Sequence, residues 1–235
     1  VAVTRKGRTR ADEAYAQIYS AILDGVHPPG SRLVGSSLQE QYGLSVGVMR
    51  EVLTRLAGVG LVRAESQRGF RVIDVSADDL RQLTESQVIV ERALLEQAIL
   101  HGDLDFEARL TAAHHKLERT PHDMPDGRTN EDWRLAHAEF HRQLLSGSPN
   151  QHLRRIATSL RDQATVFQSW SRAIGGDIHR DAAGEHREIL EAVLARDTDR
   201  ALATLTAHIE RTRDILVANT ASLTAGTTAT GPNLG

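Results

Sequence analysis

The chain of 235 residues has no cysteine, few aromatics (four Phe, two Trp, three Tyr), and no apolar run near the roughly 18 residues of a membrane span. Lacking thiols, it can build neither disulfides nor thiolate metal sites nor a cysteine nucleophile, so any site for a borderline metal must use imidazole and carboxylate. The opening VAVTRKGRTR has no apolar stretch of the kind a secretory signal needs, which makes the cytoplasm the expected compartment, with no membrane partner. No glycine-rich phosphate loop and no nucleophile motif stand in the sequence. A protease-type H-E-x-x-H is missing too. In LAHAEFHRQLLSG, residues 135–147, the position beside His137 holds alanine, and Glu139 falls on a different side of the helix from His137 and His141.

What is present is a globular balance, 40% apolar and 25% charged, with eleven histidines. The net charge of -3 hides an asymmetry: residues 1–76 hold 10 basic against 7 acidic side chains, and residues 77–235 hold 18 against 24. A basic first part joined to an acidic second part fits a nucleic-acid-facing domain with a partner domain.

Periodicity divides the first part into helix, helix, helix and hairpin. ADEAYAQIYSAILDG puts Ala14, Tyr15, Ile18 and Ile22 on one face, predicting a helix over 11–24 that Gly25 and Pro28-Pro29 terminate. A second helix is expected from a cap at Ser36 or Ser37 to Gly43. Ser45 then caps a third, in which Met49, Val52, Leu53 and Leu56 face inward. That leaves Val46, Gly47 and Arg50 outward near its N-terminus, where a recognition helix meets base edges. LVRAE and FRVIDV, separated by SQRG, read as a short hairpin. Arg5, Lys6, Arg8 and Arg10 form a basic arm over residues 1–10, and the winged helix-turn-helix spans 11–75.

The segments PGSRL, SVGVMREVL, RLAGVGLV and RGFRV, in this order, resemble the winged helix of GntR-family bacterial transcription regulators over about 65 residues. The resemblance implies DNA contacts at Ser45, Val46, Gly47 and Arg50 and, at the wing tip, Arg68 and Gly69. Val46 departs from the arginine usual there, and Ser36 stands where a close branch has a basic residue. Val46 either packs on a thymine methyl or weakens discrimination at that base.

From Ser76, where S-x-x-D begins a capping pattern, the chain reads as helices over about 76–101, 105–119, 130–146, 150–172, 178–196 and 198–218. The expected architecture is therefore mainly α, a winged helix-turn-helix followed by an all-α domain over 76–218. The small, polar tail 219–235 is expected to be disordered. Steps of three and four place Trp133, His137, Phe140, His141 and Leu144 on one face, His186 with Ile189, Leu190 and Val193, and His208 with Ala201, Leu205 and Ile215. One inward histidine is ordinarily a hydrogen-bonded core residue; four on three helices suggest a cation that gives each neutral ring nitrogen a partner.

HAEFHRQLL, EHREILEAVLARD and AHIE resemble the FCD ligand-binding domain of the FadR subfamily, which implies an all-α antiparallel helical bundle that often holds a metal. The resemblance assigns His141, His186 and His208 as ligands, with His137 at the position of a usual aspartate. Imidazole in place of carboxylate favours zinc, nickel or cobalt over magnesium or calcium. A sensor metal with open positions suits a small carboxylate effector, with Arg92, which resembles a family arginine near the cavity, and Asn150 as expected contacts, Arg161 and Gln163 as weaker candidates, and His179, seven residues before His186, either at the rim or in solvent; the alternative for Arg92 is an ion pair with Glu96. The function expected is a homodimeric regulator, a repressor on a pseudopalindromic duplex operator, tuned by metal and organic acid. Its rivals are a regulator that senses the metal itself, a metal-dependent hydrolase on a helical bundle, and a metal-free dimerisation module.

Overall fold

The computed structural model describes residues 9–65, 69–74, 76–125, 129–175 and 181–227, with side chains through 169 in the helix that ends at 175 and through 218 in the last helix. The chain divides into two compact units, one built on residues up to Leu80 together with 161–176 and 216 onward, the other on 81–160 and 177–215.

In the first unit Thr9 caps α1 (Arg10–Leu23) through a reciprocal capping box with Asp12, so the helix begins one residue before the expected start. Arg10, expected in the basic arm, belongs to this helix instead, and its Nη2 donates to the carbonyl of Gly43 at 2.6 Å. Arg5, Lys6 and Arg8 lie outside the described residues. After β1 (Arg32–Leu33) comes α2 (Gly35–Tyr42), and here the expected serine cap is wrong: Val34 is the N-cap and makes no side-chain cap bond. Buried Leu33 fixes the chain's entry into the helix, which places Ser36 and Ser37 inside its first turn. Gly43 closes α2 in the left-handed region at φ 61°, the conformation that turns the chain into α3 (Val46–Gly58).

The wing consists of β2 (Val62–Glu65) and β3 (Gly69–Val72), paired antiparallel with Val62 opposite Val72 and Glu65 opposite Gly69. β1 adds on the other edge of β3, giving the order β1-β3-β2. Two residues carry no readable period, so this strand was invisible in the sequence. Arg71 ties the sheet by donating to Gly30 O and Glu65 Oε1, each at 2.6 Å. The core holds Ile18, Ile22, Leu56 and Leu61, and also Val166 of α7 (Gln151–Gly175).

By compactness, residues 161–176 of α7 group with the winged helix, inside the stretch expected to form the bundle. The apolar stripe of α7 shows in its sequence, but a stripe does not say which core it enters.

The second unit is all-helical. α4 (Ala77–His101) contributes Leu94, Leu95 and Ala98; α5 (Leu104–Arg119), α6 (Glu131–Leu144), α8 (Ala182–Leu194) and α9 (Thr198–Thr227) supply Leu110, Phe140, Ile189 and Leu205 to the same core. Asp103, Asn130 and Asp181 cap α5, α6 and α8. Arg196 links α8 to α9 at φ 54°, unusual for a residue with a Cβ, and its guanidinium holds the carbonyls of Ile99 and Gly102 and the carboxylate of Glu107. The turn fixes where α9, and with it His208, starts. α9 continues to Thr227, so residues 219–227, expected to be disordered, are helical. Extension of an existing helix is cheap, and no proline occurs between Pro149 and Pro232.

Candidate metal centre and nucleic-acid interface

The outward face of α3 is set by its cap. The Ser45 hydroxyl accepts from Val48 N at 3.4 Å, and burial of Met49, Val52, Leu53 and Leu56 turns the opposite side to solvent. Val46 is 69% exposed, Gly47 and Arg50 are exposed, and open space lies where a side chain at Gly47 would begin. The first turn thus offers a methyl-bearing apolar tip, a gap and a guanidinium beside the positive end of the helix, a combination suited to phosphates and base edges. Gly69 starts β3 at φ 89° and is exposed; Arg68 lies outside the described residues.

The bundle gathers the four predicted histidines. One ring nitrogen from each of His137, His141, His186 and His208 lies within 4.8 Å of the others. α6 contributes the first two as an i, i+4 pair, with their Nε2 atoms 3.1 Å apart; α8 and α9 contribute one each. His141, His186 and His208 are buried and His137 is partly so. Ring centroids stand 4.6 Å apart for His137 and His141, 4.7 Å for His186 and His208, and 5.2 Å for His141 and His186. Two buried ring atoms of the cluster, His141 Nδ1 and His186 Nε2, find no hydrogen-bond partner among the described residues, while both rings are in aromatic contact with their neighbours. Four nitrogens at about 2.0–2.1 Å from one zinc ion stand about 3.3 Å apart in a tetrahedron, so the donor set fits a cation after a modest contraction.

Around the rings stand Trp133, expected on the same face as His137, and Glu185, for which the sequence suggested no role. Trp133 stacks on His137 with 12° between the planes and centroids 4.8 Å apart, and His122 meets Trp133 edge to face with centroids 4.2 Å apart. Glu185 Oε2 takes a hydrogen bond from His208 Nδ1 at 2.8 Å. Its signal was present in the E-H pair of AAGEHREIL, but the partner lies 23 residues away on another helix. Glu139, as its place on the helix predicted, turns away: Arg142 and Gln143 hold its carboxylate, and the Arg142 hydrogen bonds keep it below the usual carboxylate range.

Arg92 and Asn150, the expected effector contacts, each hold a neighbouring group. Arg92 Nη1 donates to Leu202 O at 3.2 Å and Thr206 Oγ1 at 3.0 Å, fastening α4 to α9, and makes no ion pair with Glu96. Asn150 is a helix cap whose Oδ1 accepts from Leu153 N at 3.1 Å. Gln163 belongs to the first unit with Arg161, and its side chain covers Gly60 so closely that a Cβ there would stand 2.7 Å from Gln163 Cδ. His179 lies outside the described residues.

Family models place both regions. The model for bacterial regulatory proteins of the gntR family matches residues 10–72, and that for the FCD domain matches residues 82–211, more than half of the chain. The chain belongs to the GntR family and carries an FCD domain. It is 32% identical over 207 residues to the HTH-type transcriptional regulator BphR of Paraburkholderia xenovorans, covering 86% of this chain and 83% of that one. It is 28% identical to the HTH-type transcriptional repressor GlaR of Escherichia coli K12, covering 84% and 91%. Among solved structures, E. coli McbR/YncC superposes with a TM-score of 0.70 at 18% identity over 88% of this chain and 97% of that chain, a likeness of fold. As a GntR-family protein it is a DNA-binding transcription regulator. No helix among the described residues is long and apolar enough to cross a membrane.

Proposed function

We propose that this GntR-family regulator is a cytoplasmic homodimer that represses transcription from a pseudopalindromic operator. Its FCD domain holds a divalent metal on His137, His141, His186 and His208 and takes a small organic acid there. The observation that carries the reading is the convergence of four ring nitrogens from three helices within 4.8 Å. Four neutral imidazoles select zinc, with nickel and cobalt as alternatives, over magnesium or calcium, which prefer oxygen. When bound, the metal would supply a positive centre that could take a carboxylate by expanding beyond its four histidine donors.

The chain's own residues supply the rest. The α6 histidines present two donors from one turn, and α8 and α9 bring the others, so closing the set biases how three helices pack. An effector then shifts the regulator between arrangements by its differential affinity for them. On the operator, one winged helix reads too few bases for specificity, and two related by a twofold axis read two half-sites. Ser45 fixes the start of the recognition helix, and Arg50, Val46 and Gly47 meet base edges with Arg68 and Gly69 at the wing. GlaR, named as a repressor, supports the sign of regulation. Arg92 and Asn150, engaged as a helix tie and a cap, are not needed for the proposal.

A regulator is preferred to a hydrolase because Glu139, the carboxylate nearest the α6 pair in sequence, is committed to Arg142 and Gln143. The test is a thermal-shift screen of small carboxylates on chelated and metal-loaded protein, followed by gel shifts on a selected operator. Carboxylate stabilisation that requires metal and releases DNA supports the reading. DNA affinity that follows free zinc with no carboxylate makes the metal itself the signal. Well under one metal per chain after purification without chelator, with His141→Ala as stable as the parent, overturns the metal site.

A further inference from the structure

Glu185 is bound at both of its oxygens. Oε2 accepts from Nδ1 of His208 and Oε1 from Nη1 of Arg211, each at 2.8 Å. The side chains of Glu185 and His208 are 14% and 8% exposed, so this pair sits inside the bundle, whereas Arg211 closes it from the surface at 60% exposure. An ionised carboxylate only accepts hydrogen bonds, so the proton between Glu185 and His208 resides on Nδ1, and Nε2 is the ring atom left with a lone pair.

We propose that Glu185 is the positioning residue of the histidine cluster: it holds His208 in the Nδ1–H tautomer, offers its Nε2 to the cation, and sets one negative charge next to a site of four neutral rings. The role rests on the metal reading given above. Because Glu185 precedes His186 directly, the N-terminal part of α8 provides one ligand and also orients the ligand of α9. Two helices are thus aligned before the ion arrives, and the ring's basicity rises with its carboxylate partner, the ordinary effect of a hydrogen-bonded acceptor behind a metal-bound histidine.

The expected consequence is a loss of about 10–100-fold in zinc affinity for Glu185→Ala, with a smaller loss for Glu185→Gln, which keeps a neutral acceptor. Arg211→Ala, which leaves the His208 contact in place, should change affinity by less than about threefold. Zinc is titrated into the full-length, metal-free protein against a chromophoric chelator, and the ring nitrogens of His208 are read by 15N NMR before zinc is added. A parent protein that takes up no zinc overturns the metal reading and this role with it. Zinc uptake that folded Glu185→Ala leaves unchanged overturns the role alone. Should Glu185→Ala not fold, the parent's spectrum still decides: Nδ1–H on His208 supports the proposal, and a proton on Nε2 overturns it.

Discussion

The winged helix and the helical bundle bury different things. Among the described residues, every buried polar or charged side chain, from Thr84, Gln87 and Glu91 to His114, His141, Gln143, Ser148, His186 and His208, belongs to the bundle. The fully buried residues of the winged-helix unit are apolar, Ile18, Ile22, Met49 and Leu56 among them; its polar side chains are at most partly buried, and those of the reading face stand on the outside. A surface reader needs a dry, stiff support for an exposed helix face. A sensor has to place polar atoms where water is scarce and electrostatic interactions strong, and it accepts the desolvation cost of doing so.

The contrast predicts that apolar truncation dominates in the first unit and ligand loss in the second. Leu56→Ala, at a fully buried site, should destabilise the winged helix by about 2–5 kcal/mol, read by hydrogen exchange over residues 10–72, and chelator should not change that figure. A chelator-dependent result there would break the comparison. In the bundle, zinc present at about 100 to 1,000 times its Kd should add about 2.7–4.1 kcal/mol, and His141→Ala should abolish the increment. Calorimetry with and without zinc checks it.

On the reading surface, Arg50→Ala should weaken operator binding by about 1–3 kcal/mol with little change in melting, since the side chain is exposed. A matching loss of stability in the variant would show that Arg50 also supports the fold.

The smallest effect concerns Asp162 in the first unit, whose carboxyl is pushed up to about 6 from 3.8 by burial. The folded state therefore binds this proton more tightly than the unfolded chain does. The resulting stabilisation is full below about pH 3.8 and is lost as pH rises through about 6. Asp162→Asn should flatten that slope and, at neutral pH, stabilise the protein by on the order of 1–2 kcal/mol after solvent screening is allowed for. An unchanged slope between about pH 4 and 7 in chemical denaturation would mean that the carboxyl is better solvated than its surroundings suggest.

Much of this was legible because it is local. Gly43 and Ser45 announce the turn and the cap, the spacing of Met49, Val52, Leu53 and Leu56 fixes which side of α3 faces out, and the steps from His137 to His141 place both rings on one face. Less legible were β1, too short to show a period, and the start of α2, where the fold rather than a serine positions the chain.

The sequence by itself determined the order of the elements, the inward direction of the four histidines and the outward direction of Val46 and Arg50. Those features follow from backbone geometry, which repeats every few residues and needs no knowledge of neighbours. Only the tertiary structure decided that residues 161–176 group with the winged helix, that Arg92 ties α4 to Thr206, that Asn150 caps a helix, and that Glu185 meets His208. A helical period tells which side of a segment is apolar or polar, but the partner on that side is chosen by packing between residues far apart in the chain.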